Sequence, residues 1–158
     1  MDALKELLSD FDINTLVDKL IPKLDTVLGW VILLTRIAVM AAPLLILAFG
    51  LLYLLLPPKE ANYSVGYRCW WGMASLDAWQ FTQKLAGVIW SVVGLGLTVT
   101  MTVMSAPFVD MAPMDMLWSA VRYIAWQLLA LIAACFVINV TVFVMFDRKG
   151  YRRWERVQ

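Results

Sequence analysis

The sequence predicts an all-α membrane protein: three transmembrane helices preceded by an N-terminal amphipathic helix lying in the membrane interface. Two observations carry that prediction. Hydrophobic residues make up 62% of the chain and charged residues only 16%, with mean hydropathy +0.75, whereas a soluble domain holds about 45–50% apolar residues. A soluble core built from 158 residues cannot hide that surplus. In addition, three separate stretches reach the roughly 20 apolar residues that a helix needs to cross a bilayer.

Residues 1–27 form the first segment. Leu4, Leu7, Leu8 and Phe11, then Leu16, Val17, Leu20, Leu24 and Leu28, recur at helical spacing with charges between them. An amphipathic helix on the outer surface is expected, broken near "DFDINT" and kinked at Pro22. It either steadies the first span from the interface or offers a gate or partner-binding face. The opening "MDALKELLSDFD" is acidic and amphipathic and does not read as a secretory signal peptide.

The first span is placed at 28–56, uncharged from Ile37 to Leu56 and closed by Pro57-Pro58, which lack the donors a continuing helix needs. A polar loop fills 57–84. The second span occupies 85–106, and a short connection at 107–116 holds Pro107 and Pro113. The third span is 117–146, uncharged from Tyr123 to Phe146, and a basic tail follows at 147–158. The tail carries Arg148, Lys149, Arg152, Arg153 and Arg156, and the 57–84 loop carries Lys59, Arg68 and Lys84. The N-terminal segment and the 107–116 connection are acidic instead. Basic loops stay on the cytoplasmic side, so the N-terminus is expected outside and the C-terminus inside.

Polar residues within the spans are few. Arg36 and Arg122 fall near the outer boundary, flanked by Trp30 and Trp118. They either snorkel to water or pair with Asp110, Asp115 or Asp25 as an outer polar cluster. Gln127 and Asn139 lie deeper and read as interhelical hydrogen bonders. Gly87, Ser91, Gly94, Thr98 and Thr102 recur about one turn apart and give the second span a narrow packing face. Its partner is the first span, the third span or another copy of the chain, so a homo-oligomer is one expectation.

Several function classes are disfavoured. A net charge of +1 gives no footprint for nucleic acid. The chain contains no histidine, the commonest metal ligand and general base, and no metal or cofactor is expected. Cys69 lies in the polar loop and Cys135 deep in an apolar run, so both are expected as free thiols. A catalytic group of Cys69, Tyr67, Arg68 and Asp77 lacks a base to activate the thiol, so no enzyme is expected.

The loop "NYSVGYRCWWGMASLDAW" is the most distinctive stretch. Asn62 and Gly66 are turn formers. Arg68 suits a lipid phosphate or a carboxylate, and Tyr67, Trp70, Trp71 and Trp79 suit the headgroup zone. Ser75 is the expected cap of the next helix, with Asp77 in its first turn. These residues are expected to contact lipid headgroups or a partner.

In type and spacing Asn62, Gly66, Tyr67, Arg68 and Trp79 resemble the SdpI family of bacterial integral membrane proteins. Its pattern is a span ending near proline, Asn-x-x-x-Gly-Tyr/Phe-Arg-Thr, a tryptophan ten residues later, then two more spans. The resemblance covers roughly Leu28 to Phe146. The family's threonine is Cys69 here, Trp70-Trp71 follows it, and Gly72, Met73, Ala74 and Ser75 stand where a serine is usual. The resemblance implies a bacterial cytoplasmic (inner) membrane protein of the immunity type. Such a protein would protect against, or sense, a secreted membrane-active peptide toxin, with a cytoplasmic regulator as a second partner. The alternative expectation is an oligomeric structural or transport subunit.

Overall fold

A computed structural model describes residues 13–61 and 65–154, with side chains from residue 23 onward in the first helix. Three long helices account for most of it: α1 (Ile13–Leu55), α2 (Leu76–Met104) and α3 (Pro113–Met145). A 3-10 turn, Ala106–Val109, links α2 to α3. All three helices contain segments long and apolar enough to cross a membrane: Lys23–Leu55, Leu76–Val109 and Pro113–Met145. The chain is therefore a three-span membrane protein, and its broad exposed apolar surface is what lipid contact requires.

α1 runs without interruption through Pro22 and across the expected boundary at residue 28. A proline within a helix removes only one backbone bond and is tolerated where neighbours compensate. The stripe from Leu4 to Phe11 lies outside the described residues, as do the side chains of Leu16, Val17 and Leu20.

The α1–α2 pair is the tightest contact in the bundle, and glycine makes it so. A Cβ on Gly94 would lie 2.5 Å from the Leu47 backbone nitrogen, and one on Gly87 would lie 2.8 Å from that of Leu54. From the other side, a Cβ on Gly50 would strike the Ser91 main chain. In the pairs 50/91, 54/87 and 47/94 the residue numbers add to 141, so the helices are antiparallel in one fixed register. The Thr102 hydroxyl continues the seam to the Met40 sulfur, 3.9 Å away. The small-residue face of α2, from Gly87 through Ser91, Gly94 and Thr98 to Thr102, thus packs on α1 of the same chain. Thr98 and Thr102 turn their hydroxyls back to the carbonyls of Gly94 and Thr98, satisfying them within the helix.

α3 is joined to this pair by a hydrogen bond with a definite cause. Pro43, fully buried in α1, has no N–H to offer the Val39 carbonyl one turn back. Gln127 of α3, only 2% exposed, donates its Nε2 to that carbonyl at 3.0 Å. Gln127 therefore repairs a bond that Pro43 breaks, while its Oε1 is buried without a partner among the described residues. Gln127→Leu is expected to cost about 1–2 kcal/mol. In a Pro43→Ala background the restored N–H closes the helix bond, and the same change should then cost nothing measurable. A double-mutant cycle on thermal unfolding in detergent checks this; additive effects would refute the repair.

Candidate functional site

At one end of the bundle the α1–α2 loop and the segment after α3 fold against each other. α1 stops at Leu55, just before Pro57-Pro58. α2 starts at Ser75, whose Oγ accepts the Ala78 N–H at 3.1 Å, with Asp77 in the first turn as the sequence indicates. The opening turns of α2 bury Ala78, Trp79, Thr82, Gln83, Ala86 and Gly87, a single helical face.

That face organises the loop. Trp79 is 0% exposed, and its indole N–H donates to the Pro58 carbonyl at 2.9 Å. Gly66 lies on the ring with φ +121°, and a Cβ there would meet the indole at 2.7 Å. Both the backbone conformation and the close approach demand glycine. Gln83, also fully buried, grips the next residue twice: its Oε1 accepts the Tyr67 N–H and its Nε2 donates to the Tyr67 carbonyl, each at 2.8 Å. The amide thus pairs with the loop backbone much as a β-ladder neighbour does.

Tyr67 consequently turns inward. Its ring meets Trp90 edge-on at 5.5 Å, and its hydroxyl donates to the Cys135 carbonyl at 3.3 Å. Asn139 neighbours the same phenol. Burial pushes the phenol well above its ordinary pKa, so it remains a neutral donor. Cys69 is half-buried beside Thr82 and Gly72, and burial pushes its thiol up as well, against hydrogen bonds from Gly72 and Thr82 that favour the thiolate. Trp71 packs edge-on against Phe143 at 4.9 Å.

These placements correct the expectation that the loop aromatics line the headgroup zone. Trp79, Tyr67 and Trp71 are structural, because each has a pocket or partner inside the bundle. Arg68 and Trp70 point outward, and Trp70 is 80% exposed. Asn62 lies outside the described residues.

The chain after α3 is a clasp. Phe146 and Arg152 form an antiparallel bridge around a turn held by Asp147, whose Oδ1 accepts the N–H groups of Lys149 and Tyr151. Gly150, at φ +78°, sits so close to Ser75 that a Cβ would lie 2.5 Å from the serine Cβ, and the Ser75 hydroxyl donates to its carbonyl at 2.8 Å. Arg152 forks onto Asp77, with Nε–Oδ2 at 2.9 Å and a second bond at 3.1 Å. Arg153 donates to the Phe146 carbonyl and stands over the Phe143 ring at 5.0 Å. The tail is thus folded onto the start of α2 through Gly150 and Arg152.

The pair is 35% and 58% exposed at Arg152 and Asp77, so its contribution to stability is under about 1 kcal/mol. Its effect is local. Asp77→Asn is expected to raise amide exchange across 147–153 several-fold, more at low salt than at high, and to leave the unfolding temperature nearly unchanged. Unaltered exchange there would show that the fork does not hold the clasp.

At the opposite end, Arg36 and Arg122 form no ion pair among the described residues. Arg36 donates to the carbonyls of Ser105 and Ala106 at 3.2 and 2.8 Å, and Arg122 donates to Ser119 at 3.1 Å. Arg36 therefore caps the C-terminal end of α2, where the helix dipole is negative, sharing the Ser105 carbonyl with the Phe108 N–H. Asp110 and Asp115 form no ion pair among the described residues. Of the two alternatives, snorkelling or ion pairing, the described residues show no pairing, and at Arg36 a helix cap stands instead. Asp25 instead lines an apolar groove of about 260 Å³ with Leu28, Val109, Met111 and Met116.

Sequence reasoning missed Gln83 and the role of Arg152 and Arg153. The signal for Gln83 was its place one turn after Trp79. For the arginines no local signal exists, since their partners lie far along the chain.

Residues 59–146, more than half of the chain, match the family model described as the SdpI/YfhL protein family. The chain belongs to the SdpI/YfhL family. No curated protein and no solved structure matches it. In this SdpI/YfhL member the matched region takes in the loop, α2 and α3 and ends at Phe146, where the clasp begins. The α1 helix and the clasp residues beyond Phe146 fall outside it.

Proposed function

We propose that this protein confers immunity to, or senses, a secreted membrane-active peptide toxin, without enzymatic chemistry. It would sit in a bacterial inner membrane with the N-terminus outside and the C-terminus inside. The observation that carries this reading is the family match over residues 59–146 on a three-span frame. The charge distribution supports the orientation: Lys59, Lys84, Arg148 and Lys149 lie at the loop end, and Asp25, Asp110 and Asp115 at the other. An apolar groove bearing the Asp25 carboxylate suits a basic, amphipathic peptide segment. On the inner side, Arg68 and Trp70 are presented on a rigid loop and suit a cytoplasmic regulator. The half-buried, poorly ionised Cys69 thiol argues against covalent catalysis. An oligomeric structural or transport role has less support, because the α2 face expected to join copies is filled by α1.

Expression in a sensitive bacterium challenged with cationic membrane-active peptides should raise survival. Replacing Asp25, Asp110 and Asp115 together by asparagine should reduce that protection at equal membrane abundance. No protection across a broad panel would overturn the proposal.

A further inference from the structure

The α1–α2 register also fixes the level of the charges. Arg36 meets Ser105 and so obeys the same pairing, and by that pairing Lys84 stands level with Pro57. From Lys84 to Ser105 the helix rises roughly 31 Å, close to the thickness of a bilayer hydrocarbon core. Lys84 therefore marks the polar boundary at the loop end.

There Lys59 and Lys84 flank a groove of about 210 Å³, with Pro57, Pro58 and Gln80 completing its lining. Gln80 lies one turn before Lys84 on the same face of α2. No carboxylate lines the groove, and neither lysine forms an ion pair among the described residues. The floor is held rigid from the protein side, because Trp79 binds the Pro58 carbonyl. Immediately toward the hydrocarbon, Leu55 and Leu56 are 72% and 71% exposed. The arrangement is thus two cations without an ion pair among the described residues and an amide donor above an apolar ledge, all at headgroup depth.

We propose that this groove binds the phosphate headgroup of an anionic phospholipid in the leaflet at the loop end. Lys59 and Lys84 contact the phosphate as charge-assisted donors, the Gln80 amide adds a third donor, and an acyl chain runs down Leu55 and Leu56. The ledge is what selects a lipid over a free phosphate, which has no use for it. The proposal is independent of the toxin reading and of which side of the membrane the loop faces.

The full-length protein, purified in mild detergent with phosphatidylglycerol and phosphatidylcholine in equal amounts, tests this by native mass spectrometry. One phosphatidylglycerol is expected to stay bound in preference to phosphatidylcholine. Lys59→Gln with Lys84→Gln should weaken that retention about thirtyfold. Arg148→Gln with Lys149→Gln removes as many charges from the clasp turn and should leave it unchanged. Millimolar glycerol phosphate should fail to displace the lipid. Equal retention of both lipids, equal loss in the two double variants, or displacement by glycerol phosphate would each overturn the proposal. Unchanged thermal unfolding of both variants verifies that binding, not folding, is being read.

Discussion

Gly94→Ala is expected to destabilise the protein by about 2–4 kcal/mol, while Gly96→Ala, two residues along the same helix, leaves it unchanged or slightly more stable. The substitution is chemically identical at the two positions. Alanine is the better helix former, worth about 0.5–1 kcal/mol over glycine where there is room. At Gly96 a Cβ meets nothing within 4 Å, so only that gain remains. At Gly94 it would lie 2.5 and 2.6 Å from the Leu47 backbone nitrogen and Cα. Backbone atoms cannot rotate aside as a side-chain tip can, so α1 and α2 must separate along the whole seam. Gly94→Leu should then fail to give a folded monomer. Thermal unfolding of the purified protein in detergent reads both changes. Matching shifts for the two alanine variants would mean that the α1–α2 seam is not where these contacts place it.

Gln83→Leu is expected to cost about 2–4 kcal/mol despite its similar volume. The change strands the Tyr67 N–H and carbonyl together, and each unsatisfied buried backbone group costs about 1–3 kcal/mol. No water reaches this position easily, since Gln83 itself is 0% exposed. The expected signature goes beyond stability: the Tyr67 amide should lose its protection from hydrogen exchange, and the near-ultraviolet signal of Trp79 and Trp90 should weaken as the loop lifts. Gln83→Glu keeps the acceptor for the Tyr67 N–H but loses the donor and buries a carboxylate, so it should be no milder. A Tyr67 amide still protected in Gln83→Leu would show that the loop is held by other contacts.

Much of this architecture is legible in the chain because it follows from local chemistry. An uncharged run such as Ile37 to Leu56 cannot leave hydrocarbon without cost. Pro57-Pro58 cannot continue a helix, and Ser75, with Asp77 in the first turn, is a favoured N-cap and acts as one. Gly66 was also readable as a turn position, and its positive φ agrees. The roles of the loop aromatics were not readable. Trp70, Trp71 and Trp79 are the same residue type, and each suits an interface by composition alone. One is exposed, one leans on Phe143 and one is sealed beneath Gly66. The difference lies in whether α2 and α3 happen to stand beside each ring.

Arg36 illustrates the same division. Its charge in an apolar run predicts, from sequence alone, a place near a membrane boundary. Its partner could not be inferred, because the carbonyls of Ser105 and Ala106 reach it only through the antiparallel register of α1 and α2. Gln127 is read as a hydrogen bonder from the cost of an amide in hydrocarbon, yet its acceptor depends on Pro43 in another helix.

By itself the sequence determined how many helices are long and apolar enough to cross, and which family the loop and the last two spans belong to. Hydropathy, proline and capping act within a few residues and need no neighbour. Only the tertiary structure decided that the glycine face closes on α1, that Trp79 and Tyr67 face inward, and that the tail clasps the start of α2. Each of those depends on two segments distant in sequence meeting in one register, which a short-range pattern does not encode.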